Sequence, residues 1–229
     1  MIRIAEIFHS IQGEGKLAGV PSIFIRTSGC NLRCTWCDTP YTSWSPEGEL
    51  ISIDAILDRV SDHAATHVVL TGGEPMIAPG VEELTRRLRE GGYHLTIETA
   101  ATIWKDVVCD LASISPKLGN STPWERDGGR HAEAHEANRL NLDTVRRLMA
   151  MPDYQLKFVV DAPEDLVEID AMIAQLGEVV PANVLLMPQG ITADELNARG
   201  PWIAELCKER GFRFCPRLHI HLYGHQRAT

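Results

Sequence analysis

A chain of 229 residues with 44% hydrophobic residues and a net charge of −9 is long enough to bury most of the surface its unfolded form exposes, and is expected to form one domain over residues 1–229. An acidic balance with no block of Lys or Arg argues against a nucleic-acid groove or an anionic membrane surface, and for a small-molecule substrate. No apolar run reaches spanning length, and Met1 leads directly into Ile2-Arg3-Ile4-Ala5-Glu6-Ile7-Phe8 without a basic, apolar leader; the six cysteines are therefore expected as thiols in a reducing cytoplasm.

Residues 2–8 alternate apolar and polar side chains, which predicts a half-buried strand. His9 to Gly15 reads as a loop. Its glycines let the backbone approach a ligand, while Gln12 and Glu14 can read a polar edge; a plain glycine-rich turn is the alternative. Pro21 to Thr27 predicts a buried strand that ends at Gly29 and delivers the loop holding Cys30, Cys34 and Cys37. Arg26, beside Ile23 and Ile25, is either a rim salt bridge or a bidentate partner for a substrate carboxylate. After a turn-rich connector at Thr42 to Gly48, Ile53, Ile56, Leu57 and Val60 recur at helical spacing. His67 to Thr71 is a short β-branched run that stops at Gly72-Gly73-Glu74-Pro75, and ligands gather at such strand ends. Val81, Leu84 and Leu88 mark a further helix, Tyr93 to Glu98 a strand, and Val107 to Ile114 another strand ending in Ser115-Pro116-Lys117.

From Leu118 to Asn138 the periodicity fails, and after Leu118 itself Trp124 is the single large apolar side chain; this predicts a surface excursion, as a functional lid or a disordered insertion. Leu142, Val145, Leu148 and Met149 restore helical spacing, and Tyr154 to Val160 predicts a strand. Asp161 and Glu164 read as a capping box before a helix carrying Leu166, Ile169, Ile173 and Leu176. Val184 to Met187 predicts a strand ending at Pro188-Gln189-Gly190. Thr192 and Glu195 form a second capping box, Pro201 fits the first turn of a helix through Arg210, and Arg217 to Gly224 reads as a last strand. Strands alternating with helices imply a parallel sheet with right-handed crossovers, an open or partial β/α barrel whose strand ends bring Arg26, Thr71, Glu98, Ser115 and Gln189 to one mouth.

The chemistry centres on Gly29 to Thr39, where three cysteines fall within eight positions. Thiolates so close repel one another and oxidise if left free, so a soft metal is expected to neutralise them. Structural zinc wants four closed ligands, and no second C-x-x-C pair follows. An iron–sulfur cube also usually takes four cysteines; with three, one iron keeps an open position.

The spacing Cys30-x-x-x-Cys34-x-x-Cys37, with Trp36 before the last cysteine, resembles the signature of radical S-adenosylmethionine enzymes. Ile11-Gln12-Gly13-Glu14-Gly15, Cys37-Asp38-Thr39, Leu70-Thr71-Gly72-Gly73-Glu74-Pro75 and Ser115-Pro116-Lys117 resemble, in order, the motifs of the 7-carboxy-7-deazaguanine synthase family. That resemblance implies a partial parallel β/α barrel of the radical S-adenosylmethionine type. It also implies a carbon–nitrogen lyase that contracts 6-carboxy-5,6,7,8-tetrahydropterin to 7-carboxy-7-deazaguanine and ammonia, in queuosine and 7-deazapurine biosynthesis. The implied cofactors are a 4Fe-4S cluster, S-adenosylmethionine and Mg²⁺. The implied partners are the pterin substrate, an electron donor such as flavodoxin or ferredoxin, and a second copy of the chain.

Carried over by position, the resemblance gives the cluster to Cys30, Cys34 and Cys37. S-adenosylmethionine falls to Trp36, Cys37, Asp38, Gly73, Glu74, Ser115, Pro116 and Lys117, with Gly73 and Glu74 expected to receive its amino group. The substrate falls to Ile11, Gln12, Gly13, Glu14, Arg26 and Thr71, and Mg²⁺ to the Thr39 hydroxyl. Two stretches depart from the family pattern, Ala100-Ala101 after Glu98-Thr99, and Met187-Pro188-Gln189-Gly190. Cys109, Cys207 and Cys215 match nothing and are expected as small buried hydrophobes. The rival readings are an activase that acts on a partner protein and a zinc-stabilised binding module.

Overall fold

The computed structural model describes all residues 1–229. Nine strands form one sheet in the order β3-β1-β2-β4-β5-β6-β7-β8-β9. In chain order these are β1 (Ile2–Ile11), β2 (Pro21–Thr27), β3 (Glu49–Ile51), β4 (His67–Gly72), β5 (His94–Thr99), β6 (Leu111–Ile114), β7 (Tyr154–Val160), β8 (Val184–Pro188) and β9 (Arg213–Phe214). The helices are α1 (Pro40–Ser43), α2 (Ile53–Ser61), α3 (Val81–Glu90), α4 (Ala132–Asn138), α5 (Leu142–Met149), α6 (Asp165–Leu176), α7 (Ala193–Arg210) and α8 (Leu218–Tyr223). From β2 through β9 every neighbouring pair is parallel, and β3 and β9 remain at opposite edges, so the curved sheet stays open.

The alternation of side chains along the parallel strands divides the molecule. Ile23, Ile25, Val68, Leu70, Leu95, Ile97, Leu156 and Phe158 belong to a core cluster of 36 buried residues, which the helices cover. Their neighbours in sequence, Phe24, Arg26, Thr71, Glu98, Lys157 and Val159, face the other side and line a cavity. The apolar core thus lies on one face of the sheet and the cavity on the other.

Five expectations need correction. The sheet is not wholly parallel: β1 runs antiparallel to both β2 and β3, because residues 12–20 are too few for a crossover. β1 also continues to Ile11, since Ser10 and Ile11 pair with Ser22 and Pro21 although their alternation has lapsed. The box expected at Asp161 and Glu164 does not form; the Asp165 carboxylate instead accepts from Asp161 N (2.8 Å) and Ala162 N (3.1 Å). Pro201 lies inside α7, an unbroken helix of 18 residues that starts from the Thr192–Glu195 capping box, and its missing N–H costs one ladder bond. The tail is not a strand. Its Leu218, Ile220 and Leu222 alternate, but two residues of β9 already take the sheet edge, and α8 crosses the mouth with Leu218 N donating to Gly13 O (2.9 Å). No helix is long and apolar enough to cross a membrane.

Candidate active site

At the carboxyl ends of the parallel strands lies a cavity of about 430 Å³, a size usual for small-molecule sites. Cys30, Cys34, Trp36, Cys37, Asp38 and Thr39 form one wall, with Gly73, Ser115 and Lys117 adjoining them. Ile11, Gln12, Gly13, Glu14, Arg26 and Thr71 line the same cavity, and Arg217 ties Glu14 to Asp38. Gln189, expected at the mouth, does not line it, and neither does Pro116.

The cysteine loop is held close to the end of β4. Gly73 N donates to Thr27 O (3.1 Å) and Glu74 N to Gly29 O (2.9 Å). A Cβ on Gly73 would stand 2.1 Å from Gly29 O, so this approach requires glycine. Glu74 itself corrects the sequence reading. Its side chain is 1% exposed, with the carboxylate accepting from Thr99 Oγ1 (2.6 Å), Ala100 N (2.8 Å) and Met76 N (3.0 Å). The turn at Pro75 aims it beneath the strand ends, where it ties β4 to β5 instead of facing the cavity.

Burial pushes the Cys30 thiol up to about 11 and the Cys34 thiol up to about 12, so a metal has to displace their protons before they ligate. Donors are already in place. Leu32 N donates to Cys30 Sγ (3.3 Å) and Ser43 Oγ lies 3.2 Å from Cys37 Sγ. No three His, Cys, Asp or Glu side chains surround a point that could hold one ion. A cube, in which each thiolate takes a different iron, asks for spread sulfur atoms on one wall, and this donor set fits it. A closed zinc site does not fit: of the three H-x-x-x-H pairs downstream, His63 and His67 stand at the amino end of β4, His135 is taken up by Arg33 N and Ser121 Oγ and His225 by Asp38 O, and none joins the cysteines around one point. Thr39 Oγ1 accepts from Thr42 Oγ1 (3.2 Å) and lies 4.0 Å from Cys37 Sγ.

The other polar groups of the cavity are tightly paired. Glu98 accepts from Gln12 Nε2 (3.1 Å) and Thr71 Oγ1 (2.8 Å). Arg26 Nε donates to Glu6 Oε1 (2.6 Å), which also accepts from Tyr41 OH (2.7 Å); the guanidinium lies over the Phe8 ring. Glu14 pairs with Lys157 and with Arg217 Nε (2.9 Å), while Arg217 Nη2 reaches Asp38 Oδ2 (2.5 Å). Burial alone would raise the Glu14 carboxyl, but the Lys157 ammonium and the Arg217 guanidinium outweigh it and hold the carboxyl far below its ordinary value. Asp38 follows the same logic, burial opposed by Arg217.

Glu98, expected at the mouth, lines the cavity, and Lys157, Arg217 and His219 belong to the site although no motif flagged them. Lys157 had a signal, as the lone cation in an apolar strand. Arg217 and His219 had none: Arg217 reaches Glu14 from 203 residues away along the chain, and His219 lies on the same distant tail, against Gly13. His219 packs so closely that a Cβ on Gly13 would stand 1.9 Å from its Nδ1. Cys109 and Cys207 are buried as expected. Cys215, also buried, accepts Gly15 N at 3.1 Å and so helps shape the glycine loop.

An open β/α barrel with three cysteines on the loop after a parallel strand, facing a cavity at the strand ends, defines a radical S-adenosylmethionine fold. Residues 24–118 match the radical SAM superfamily. The chain is 48% identical to the 7-carboxy-7-deazaguanine synthase of Rhodopirellula baltica over 99% of its own length and 88% of that protein. It is 46% identical to the synthase of Halobacterium salinarum, covering 96% and 90% of the two chains. The crystal structure of QueE from Escherichia coli superposes with a TM-score of 0.70 at 28% identity, covering 93% and 92% of the two chains. The chain belongs to the 7-carboxy-7-deazaguanine synthase family.

Proposed function

We propose that this chain is a carbon–nitrogen lyase that contracts 6-carboxy-5,6,7,8-tetrahydropterin to 7-carboxy-7-deazaguanine with loss of ammonia, in 7-deazapurine biosynthesis. The observation that carries this reading is near-full-length identity to synthases of that name. It is supported by one cavity lined by the three thiols and by Gln12, Glu14 and Arg26. Cys30, Cys34 and Cys37 would hold a 4Fe-4S cluster, which when bound supplies the electron that cleaves S-adenosylmethionine to a 5′-deoxyadenosyl radical. A protein electron donor such as flavodoxin or ferredoxin, and a second copy of the chain, complete the proposed assembly.

In this reading the chain's own residues bind and orient. Trp36, Asp38, Ser115 and Lys117 flank the cofactor, with the Gly73 backbone carbonyl as the acceptor for its amino group. Gln12 and Glu14 read the pterin edge. Arg26, fixed through Nε by Glu6, keeps its terminal nitrogens for the substrate carboxylate. Arg26→Lys keeps the charge and loses the planar fork. A charge-assisted hydrogen bond contributes ~1.5–3 kcal/mol, so substrate affinity is expected to fall roughly ten- to a hundredfold, measured by titration of the reconstituted enzyme. Unchanged affinity would leave Arg26 as a partner of Glu6 alone.

Mg²⁺ takes oxygen ligands, keeps several waters and needs few protein groups, which suits the Thr39 hydroxyl on the cavity wall. Its role there is to orient the substrate carboxylate. Thr39→Val, similar in shape but without the oxygen, is expected to lose most of the Mg²⁺ stimulation while keeping cluster and cofactor binding. A variant that responds to Mg²⁺ as the parent does would put the ion elsewhere.

A further inference from the structure

Residues 118–138 carry none of the family motifs, yet they fold against the outside of the cysteine loop. The residues between the cysteines have backbone groups that the loop cannot satisfy by itself. Arg33 N donates to His135 Nδ1 (3.1 Å), Thr35 N to Ser121 O (2.7 Å) and Trp36 Nε1 to Asn120 O (3.1 Å). Arg126 Nη1 donates back to Thr35 O (2.7 Å). On its other side the segment is tied to α6, with Asn120 Nδ2 donating to Asp165 Oδ2 (2.9 Å) and Gly119 N to Glu168 Oε2 (2.8 Å).

His135 is the one side chain of this segment that receives a hydrogen bond from the cysteine loop, and it is 1% exposed. The Arg33 amide can only donate, so Nδ1 is the unprotonated nitrogen and Nε2 carries the hydrogen. Nε2 meets Ser121 Oγ at 2.9 Å, and that hydroxyl donates to Leu118 O at 2.6 Å. Every member of the chain is satisfied in one tautomer only. Burial also holds the ring neutral, its pKa pushed down to about 4.

We propose that His135 is a positioning residue for the cluster site: by accepting the Arg33 amide, one residue before Cys34, it fixes the conformation in which the loop presents its thiols. The inference rests on the reading of Cys30, Cys34 and Cys37 as cluster ligands, but its tests do not depend on which reaction the enzyme performs. His135→Leu fills similar space without an acceptor, and His135→Asn returns an acceptor near the Nδ1 position. Hydrogen exchange of the Arg33 amide in the full-length protein is expected to speed up at least tenfold in His135→Leu and to stay within about threefold of the parent in His135→Asn. In the anaerobically reconstituted proteins, chelator bleaching of the cluster absorbance is expected to follow the same order. Ser121→Ala, which removes the partner of Nε2 and leaves the ring in place, supplies a milder variant expected to fall between them. Parent-like Arg33 protection and cluster lifetime in both His135→Leu and Ser121→Ala would overturn the proposal. So would equal loss in the Leu and Asn variants, which would mean that the ring's bulk matters and its acceptor does not.

Discussion

Replacing Cys34 with Ala is expected to leave a folded chain that retains no competent cluster and shows no turnover. Cys34 is 9% exposed, but it stands on the loop and is not among the 36 residues of the main core. Losing one small side chain there costs little of the apolar burial that holds the sheet and helices together. The same change removes one of three thiols on the cavity wall, and the site has no spare: Cys109 and Cys207 lie in the main core and Cys215 against β7 and β8. Iron content after anaerobic reconstitution, read beside far-UV circular dichroism, checks both halves. The same outcome is expected for Cys30→Ala and Cys37→Ala. Wild-type iron with normal turnover in any of the three would remove that cysteine from the ligand set.

Glu14→Gln is expected to act on stability as well as on turnover. Glu14 is the only carboxylate that contacts both Lys157 and Arg217, and each of these cations has a side chain 7% exposed. The amide keeps the shape and removes the charge, which leaves the buried Lys157 without an ion partner and Arg217 with Asp38 alone. Breaking such a pair costs about 3–5 kcal/mol, which for a chain of this size lowers Tm on the order of 10 °C. The sign with pH follows from the depressed carboxyl. Its stabilising contribution is present above the ordinary carboxylate value of 4.5 and drains away as the pH falls below that value towards the depressed one. The Gln variant should lack that acid-side dependence. A variant with parental Tm and the parental acid profile would mean that Glu14 is solvated and that the two cations are balanced elsewhere.

The parts of the site legible in the sequence are those whose residues sit close together and carry unusual chemistry. Cys30, Cys34 and Cys37 drew attention by spacing alone and do line the cavity, and Gly72-Gly73 marked a strand end that does reach it. The helices and central strands were legible because one face of the sheet packs against helices, so apolar periodicity reports it directly. The inner face is different. There Gln12 and Thr71 pair with Glu98, and Lys157 and Arg217 with Glu14, across elements far apart in sequence, and pairing of that kind leaves no local pattern. The tail failed for a related reason: Leu218, Ile220 and Leu222 alternate as a strand would, but the contacts with Gly13 and Asp38 that fold it over the mouth are non-local. Glu74 shows the opposite error. A residue with a familiar role in a motif was read as facing the ligand, whereas the turn at Pro75 turns it inward to Thr99 and Ala100.

The central claim is the proposed one, that the three thiols and the polar residues of this one cavity act together on a carboxypterin. Anaerobic turnover of the reconstituted enzyme with S-adenosylmethionine, a one-electron reductant, Mg²⁺ and 6-carboxy-5,6,7,8-tetrahydropterin tests it most directly. The account predicts 7-carboxy-7-deazaguanine and ammonia, formed only when reductant and cofactor are both present. Reductive cleavage of S-adenosylmethionine to 5′-deoxyadenosine, with the pterin recovered intact, would contradict it.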